Sequence, residues 1–303
     1  VAGNSGFTSC GYGGGGANLG TTERFDDAGN THTARTLDPT PRRILAGYSI
    51  ANKGFTSCGY SSALDGTTEK FDDGGNSWTT RTSATARYSA SGYSMPGKGF
   101  TSCGAPNQGT TERFDDMANT QTARANATAR SGPAGFSMLG YGFTACGYSS
   151  TYVGTTERFD DVANTHTART GATARSGPAG FSMSGYGFVC EGEIGSGGSG
   201  TFTRKVERFD DGGNSWTART DSNYAQTYVG GYSMSGRGFR SCGGRPLVSE
   251  WTGYTSRFDD AGNSWTNRAN ATARFGPGAW ALTSSSSAPI FSYHWKLVGN
   301  QLA

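Results

Sequence analysis

The feature that most constrains this chain is one stretch of sequence written six times. Glu-Arg-Phe-Asp-Asp-x-x-Asn-Ser-Trp-Thr-x-Arg recurs with variation, its Phe-Asp-Asp core beginning at Phe25, Phe71, Phe114, Phe159, Phe209 and Phe258. The steps between copies are 46, 43, 45, 50 and 49 residues. A unit of that length holds about four short strands with their turns. A residue present in every copy serves the fold, and this discounts most apparent active-site motifs along the chain.

The cleanest unit, residues 92–124, shows the pattern. Gly92 to Met95 reads as a first strand and Pro96-Gly97-Lys98-Gly99 as a tight turn. Phe100 to Gly104 is a second strand, 105–109 a loop, and Thr110 to Asp115 a third strand. Asp116 to Asn119 turns through local side-chain bonds, and Thr120 to Arg124 is a fourth strand. Composition agrees: of 303 residues 49 are Gly, 16% are charged and 12% aromatic, a turn-rich β balance. The 34% hydrophobic content is low, but stacked repeats tolerate it because each sheet buries its faces against like neighbours.

Four antiparallel strands repeated six times predict an all-β, six-bladed β-propeller over residues 1–283. The ends predict how it closes. The chain starts on a second strand, Gly6 to Cys10, with no first strand before it. It reaches a first strand, Phe275 to Leu282, with no second strand after it. Pairing of these N- and C-terminal strands completes one blade and removes two open sheet edges. An open solenoid would need capping units instead. Residues 127–138 and 172–183 are identical, the mark of recent blade duplication.

With these residues in view, Glu69-Lys-Phe-Asp-Asp-Gly-Gly-Asn-Ser-Trp78, followed by Arg81 and Arg87, resembles a kelch repeat. The resemblance runs over roughly residues 6–282 and implies a propeller with one repeat per blade. The family's Gly-Gly doublet is here mostly Cys-Gly, as in Cys58-Gly59, and only Cys242-Gly243-Gly244 keeps it. The Trp position holds Trp78, Trp216 and Trp265 but His32, Gln121 and His166 elsewhere. Burying an unpaired polar group costs about 1–3 kcal/mol, so that position is expected to be partly buried or hydrogen-bonded. Asp73-Gly-Gly-Asn-Ser-Trp78 is also similar to the Asp-box turn of sialidases, itself a structural turn.

The repeat reduces the candidates for chemistry. The cysteines Cys10, Cys58, Cys103, Cys146, Cys190 and Cys242 read as one position in six units. Equivalent positions of neighbouring blades lie too far apart for the roughly 7 Å Cα limit of a disulfide, so six free, buried thiols are expected. Of three His, His32 and His166 occupy the Trp position and His294 lies outside the repeats. No metal-ligand spacing is present, and neither metal nor cofactor is expected. The copper chemistry of some kelch-like oxidases needs His ligands that the repeat here accounts for. Six Asp-Asp pairs at turns do not supply the single carboxylate pair, about 5–5.5 Å apart, of a retaining glycosidase. The third-strand Glu23, Glu69, Glu112, Glu157 and Glu207 share parity with the following Phe, so they face a neighbouring blade and need partners. The sequence offers Arg35, Arg81, Arg124, Arg169 and Arg219. The sixth unit has Ser256 instead of Glu, which leaves Arg268 freer. No catalytic residue is assigned and the chain is not expected to be an enzyme.

Net charge is +3, too small to point to nucleic acid or a membrane surface. No apolar run reaches the roughly 20 residues of a spanning helix. The expected partner is a protein or a glycan, met by the variable 2–3 loops, since loops on a rigid scaffold carry binding. The longest loops belong to the fifth and sixth units. With the loop of the fourth unit they nominate Arg204, Lys205, Arg245, Trp251, Tyr254 and Tyr152, because Arg and aromatic residues anchor interfaces. The non-repeat tail, 284–303, carries Phe291, Tyr293 and Trp295 behind a Ser-rich spacer. Exposed aromatics need a partner, so it reads as a docking segment for a neighbouring subunit or a larger assembly, with packing on the propeller itself as the alternative. The near-identical units are similar to bacterial and phage kelch-type proteins, which implies a surface or virion component. A lectin or sialidase-like hydrolase is the alternative, and an asymmetric pocket of Arg and carboxylate groups would favour it.

Overall fold

The structure, a computed structural model, describes residues 4–195, 201–245 and 250–282. The chain forms six four-stranded antiparallel blades in a ring, a β-propeller. Blade 1 contains Ser5–Ser9, Thr22–Asp26 and Thr31–Arg35, with Gly278–Leu282 as its innermost strand. Blade 2 runs through Ala46–Ile50, Lys53–Tyr60, Leu64–Asp72 and Ser77–Arg81. Blade 3 is Ser91–Met95, Lys98–Ser102, Thr111–Asp115 and Thr120–Arg124. Blade 4 is Ala134–Met138, Tyr141–Ala145, Thr156–Asp160 and Thr165–Arg169. Blade 5 is Ala179–Met183, Tyr186–Cys190, Val206–Asp210 and Ser215–Arg219. Blade 6 is Gly230–Met234, Arg237–Arg245, Glu250–Asp259 and Ser264–Arg268. The closure predicted from the ends is present: Ser5 to Ser9 pair in register with Leu282 to Gly278.

Strand alternation builds the core. On the innermost strand of blade 4, Ala134, Phe136 and Met138 are buried while Gly135 and Ser137 face the axis, the period-two pattern of a pleated strand. Each second-strand Phe packs on the third-strand Phe of the next blade, in the pairs Phe7–Phe71, Phe55–Phe114, Phe100–Phe159, Phe143–Phe209, Phe188–Phe258 and Phe239–Phe25. All six centroid distances are 5.6–5.8 Å. The second-strand glycine has a steric reason. A Cβ at Gly142 would overlap the Tyr93 ring, and one at Gly187 the Phe136 ring, so each blade seats the previous blade's aromatic over a bare Cα.

Two polar systems join the blades. At the outer edge, the second Asp of each Phe-Asp-Asp accepts two basic side chains from the preceding blade. Asp27 takes Arg257 and Arg268, Asp73 takes Arg24 and Arg35, and Asp116 takes Lys70 and Arg81. Asp161 takes Arg113 and Arg124, Asp211 takes Arg158 and Arg169, and Asp260 takes Arg208 and Arg219. This corrects the pairing expected from sequence. Arg35, Arg81, Arg124, Arg169 and Arg219 bind aspartates, not the third-strand glutamates, because the fourth strand's end lies over the next blade's 3–4 turn. Arg268 is no freer than the rest, since its partner Asp27 does not depend on the residue at 256.

Under the crossings, four of the five glutamates take a different arginine, and Glu69 instead accepts the Thr40 and Thr80 hydroxyls at 3.1 and 3.2 Å. Arg87 pairs with Glu112 at 2.9 Å, Arg130 with Glu157, Arg175 with Glu207 and Arg274 with Glu23. These four arginines are fully buried. Arg130, Arg175 and Arg274 turn further donors to backbone carbonyls, such as those of Cys146 and Thr155 from Arg130, while Arg87 reaches the Thr101 hydroxyl at 2.7 Å. A buried guanidinium needs a carboxylate and further acceptors of this kind.

The first Asp of each pair caps its turn: Asp115 Oδ1, for example, accepts the Met117 N–H at 3.0 Å. The turn's Asn, with φ of 44–54° in all six copies, accepts a backbone N–H of the preceding blade at 2.8–3.0 Å. Trp78, Trp216 and Trp265 donate Nε1–H to the preceding blade's backbone carbonyl at 2.8–3.1 Å. Gln121 reaches the same carbonyl position at 3.3 Å and His166 Nε2 at 3.1 Å. A ring nitrogen facing a carbonyl must carry the proton, so His166 is the Nε2–H tautomer. The position is half-buried throughout and bonded when polar, as expected from the sequence.

All six cysteines are free and buried. Five of them share one site, a left-handed residue with φ of 61–64° that follows the second strand or, at Cys58 and Cys242, interrupts its pairing within the strand. Cys190 does not, and the reading of six equivalent cysteines is corrected here: it precedes the site by one residue, and Glu191, with φ 61°, occupies it. Burial raises the thiol pKa, to about 11 at Cys103. The cysteines thus behave as small apolar groups with little thiolate.

Candidate binding surface on the loop face

The 2–3 loops and the 4–1 crossings lie on one face, and a collar at its centre fixes them. Ile44, Ser89, Gly132, Gly177, Tyr228 and Gly276 precede the six innermost strands, each with φ of 50–64°. Each donates its backbone N–H to the corresponding carbonyl of the preceding blade, at 2.7–3.1 Å, and the six bonds close a circle. The left-handed conformation turns the amide tangentially, which Gly supplies at no steric cost. The collar's mouth holds a cavity of about 80 Å³. Below it, a Cβ at Gly47, Gly92, Gly135, Gly180 or Gly231 would strike the neighbouring inner strand's backbone. Tyr228 extends over the mouth, and a Cβ at Gly132 would stand 3.5 Å from its hydroxyl. Burial raises the pKa of that phenol, opposed by hydrogen bonds to Ser89 and Ser176. Small-molecule pockets start at roughly 300 Å³, so the axial mouth admits water-sized occupants only.

Around the mouth, aromatic side chains from several blades form one arc. Tyr228 meets Phe275 at 5.1 Å, Phe275 meets Trp251 at 5.1 Å, and Trp251 meets Tyr12 edge-on at 5.8 Å. Arg43 lies over both Tyr12, at 4.5 Å, and Tyr60, at 4.9 Å, and donates to Asn18 Oδ1 at 3.1 Å. Tyr60 meets Tyr88 at 5.6 Å. Except for buried Phe275, every member is half-buried and keeps surface toward solvent. Antiparallel bridges between loop and crossing, such as Tyr12 with Phe275 and Arg43 with Tyr60, hold the backbone beneath. A smaller patch faces the arc across the mouth. There Tyr152 packs on Tyr148 at 5.4 Å and donates to Glu193 Oε1 at 2.6 Å. Burial and Glu193 raise the pKa of the Tyr152 phenol.

The residues nominated from sequence disperse over this face. Trp251 is central to the arc and Tyr152 belongs to the smaller patch. Tyr254 stacks on Tyr224 at 4.1 Å, away from both. Arg245 pairs with Glu250 at 3.0 Å, the outermost described pair of an extended hairpin. Arg204 and Lys205 are exposed and follow the small hairpin of Glu193–Ile194 and Thr201–Phe202. Phe291, Tyr293 and Trp295 lie outside the described residues. Sequence reasoning missed Tyr12, Arg43, Tyr60, Tyr88 and Phe275. Arg43, Tyr88 and Phe275 share one column of the repeat, the residue before the collar, which elsewhere holds Ser131, Ser176 and Thr227. Large residues in that column, where half of the copies hold Ser or Thr, were the available signal.

One buried site also breaks the symmetry, at the seam of blades 5 and 6. The crossing Arg is replaced by Gln226, the Glu by Ser256, a second-strand Thr by Arg240, and the Cys by Glu191. Arg240 and Glu191 are both fully buried and pair at 2.8 Å. Arg240 also donates to the Tyr254 carbonyl at 2.8 Å and to Gln226, and lies 5.1 Å from the Tyr224 ring. Gln226 donates in turn to Thr252 at 2.7 Å. Desolvation raises the pKa of Glu191, with Arg240 opposing it. Among the described residues no three His, Cys, Asp or Glu converge as metal ligands would.

No protein-family model matches the chain, and no curated protein matches it in sequence. Among solved structures, the one titled "Structure of YjhT" aligns with a TM-score of 0.70 at 10% identity, over 82% of this chain and 91% of that one. At that identity the likeness shows the fold alone.

Proposed function

We propose that this propeller is a non-catalytic recognition module that holds a protein or glycan partner on its loop face. The arc of Trp251, Tyr12, Arg43, Tyr60 and Tyr88 is its principal contact. The observation that carries the reading is the contiguity of that arc: ring faces and one guanidinium, gathered from separate blades, half-exposed on a hydrogen-bonded scaffold. Rigid aromatics lose little conformational entropy on binding and dominate interface energetics. The kelch-like units fit such a role, as does membership of a surface or virion assembly.

The glycan-active alternative is weighed at the Arg–carboxylate level. The asymmetric Arg240–Glu191 pair has no side-chain surface in contact with solvent, so it offers a substrate nothing to bind. Exposed aromatics beside Asn18 and Arg43 suit the apolar face and hydroxyls of a sugar, which favours a lectin over a hydrolase. A glycan array and a pull-down with the full chain test the proposal. Trp251→Ala with Arg43→Ala is expected to abolish a captured ligand, and Tyr254→Ala to spare it. Retention of every ligand by the double variant would remove the arc from the account.

A further inference from the structure

The opposite face carries the larger openings, and the chain itself leads there. The innermost strands run from the collar to the 1–2 turns, and Leu282 pairs with Ser5 at that end. The backbone therefore leaves the propeller on the turn face, beside the axis. At that exit the channel widens to a cavity of about 230 Å³, lined by Ser94, Ser137, Ser182 and Ser233 together with Trp280. Next to it, a groove of about 250 Å³ lies between the 1–2 turns of blades 3 and 4, walled by Met95, Pro96, Met138 and Leu139.

The apolar character of this face is concentrated on those two blades. Leu139 is 69% exposed, where blades 5 and 6 have Ser184 and Ser235. On the 3–4 turns of the same blades, Met117 is 99% and Val162 98% exposed, where the other four have Ala28, Gly74, Gly212 and Ala261. Large apolar groups on one face of two neighbouring blades, absent from the equivalent turns elsewhere, mark a covered surface.

The chain supplies a matching cover. Beyond Leu282, eight residues lead to Phe291, Tyr293, Trp295 and Leu297, which alternate with Ser292, His294 and Lys296. Alternation places the apolar set on one side of an extended segment. Neighbouring inner strands touch at the axis, so opposite ones stand only about 10 Å apart. Eight extended residues span up to about 26 Å, enough to cross from blade 1 to blades 3 and 4. We propose that the chain's own segment 291–297 docks on the turn face, in the groove at Pro96 and Leu139.

The test uses the full chain. Because the six native thiols are buried, a cysteine placed at Leu139→Cys is the reactive one for a bulky maleimide. We expect it to label about tenfold faster when Phe291→Ser, Tyr293→Ser and Trp295→Ser are added, at any protein concentration. A loop-face control, Ser150→Cys, is expected to label equally in both backgrounds. Hydrogen exchange at residues 139–141, with Leu139 intact, is expected to speed up in the triple variant. Unchanged labelling and exchange would overturn the proposal. So would protection that disappears on dilution as light scattering reports dimers separating, since the cover would then be a second copy.

Discussion

The seam between blades 3 and 4 and the seam between blades 5 and 6 solve one problem with opposite assignments of charge. In the first, the cation comes from the crossing, Arg130, and the anion from the third strand, Glu157. In the second, the cation sits on the second strand, Arg240, and the anion at the site other blades give to Cys, Glu191. Four positions changed together, with Gln226 and Ser256 completing the set. Any one change alone would bury an unpaired charge, which costs several kcal/mol. The seam therefore tolerates relocation of its charges but not their loss. Glu157 also differs from Glu191 in accepting the Thr128 N–H and hydroxyl and in keeping a little solvent.

That difference orders the predictions. Removing Arg240 should be the most damaging change: Arg240→Met strands Glu191 with no solvent, at about 3–5 kcal/mol. Denaturant unfolding reads this directly. Arg130→Met should cost less, about 1.5–3 kcal/mol, because Glu157 keeps its hydrogen bonds; equal losses would erase the contrast. Third, adding Glu191→Cys to Arg240→Thr should recover stability relative to Arg240→Thr alone. Completing the set with Gln226→Arg and Ser256→Glu should bring the seam within about 1 kcal/mol of the parent, a non-additivity expected of contacting residues.

Titration gives a fourth, smaller contrast. Desolvation lowers the pKa of His32 and His166 below their ordinary value. The unfolded chain then binds more protons below about pH 6.5, so these sites lose stability as pH falls through their folded pKa. His32→Trp with His166→Trp should flatten that acid-side loss. Glu191 works the other way. Its raised pKa means stability is greatest below the ordinary glutamate range and declines as pH rises through the folded value, and Glu191→Gln should abolish that dependence. Thermal unfolding between pH 4 and 8 separates the two effects by sign.

The architecture was legible in the sequence because repetition exposes it. Complementary half-units gave the closure between Phe7 and Trp280, and the Asn and Asp of each turn gave its geometry. The polar behaviour of Gln121 and His166 at the Trp position also followed from the cost of an unpaired buried group. The arginine partners did not follow. Strand parity says which side Glu112 faces, but not whether Arg81 or Arg87 reaches it, and Asp116 competes for the former. Cys190 concealed the break at Glu191 because a cysteine one residue early looks like a conserved column. The binding arc was only partly visible: Trp251 stood out in a long loop, whereas Tyr12, Arg43 and Tyr60 meet across the seam of blades 1 and 2, and Tyr12 reaches Trp251 only when the ring closes blade 6 onto blade 1.

Closure is thus the claim on which the continuous arc depends, and amide exchange tests it most directly. In the full chain, the amides of Gly278–Leu282 and Ser5–Ser9 should be protected as strongly as those of Ala134–Met138 and Tyr141–Ala145 in blade 4, and lost with them in one cooperative opening. Exchange of the terminal strands at rates typical of unstructured chain, while blade 4 stays protected, would contradict the closed ring.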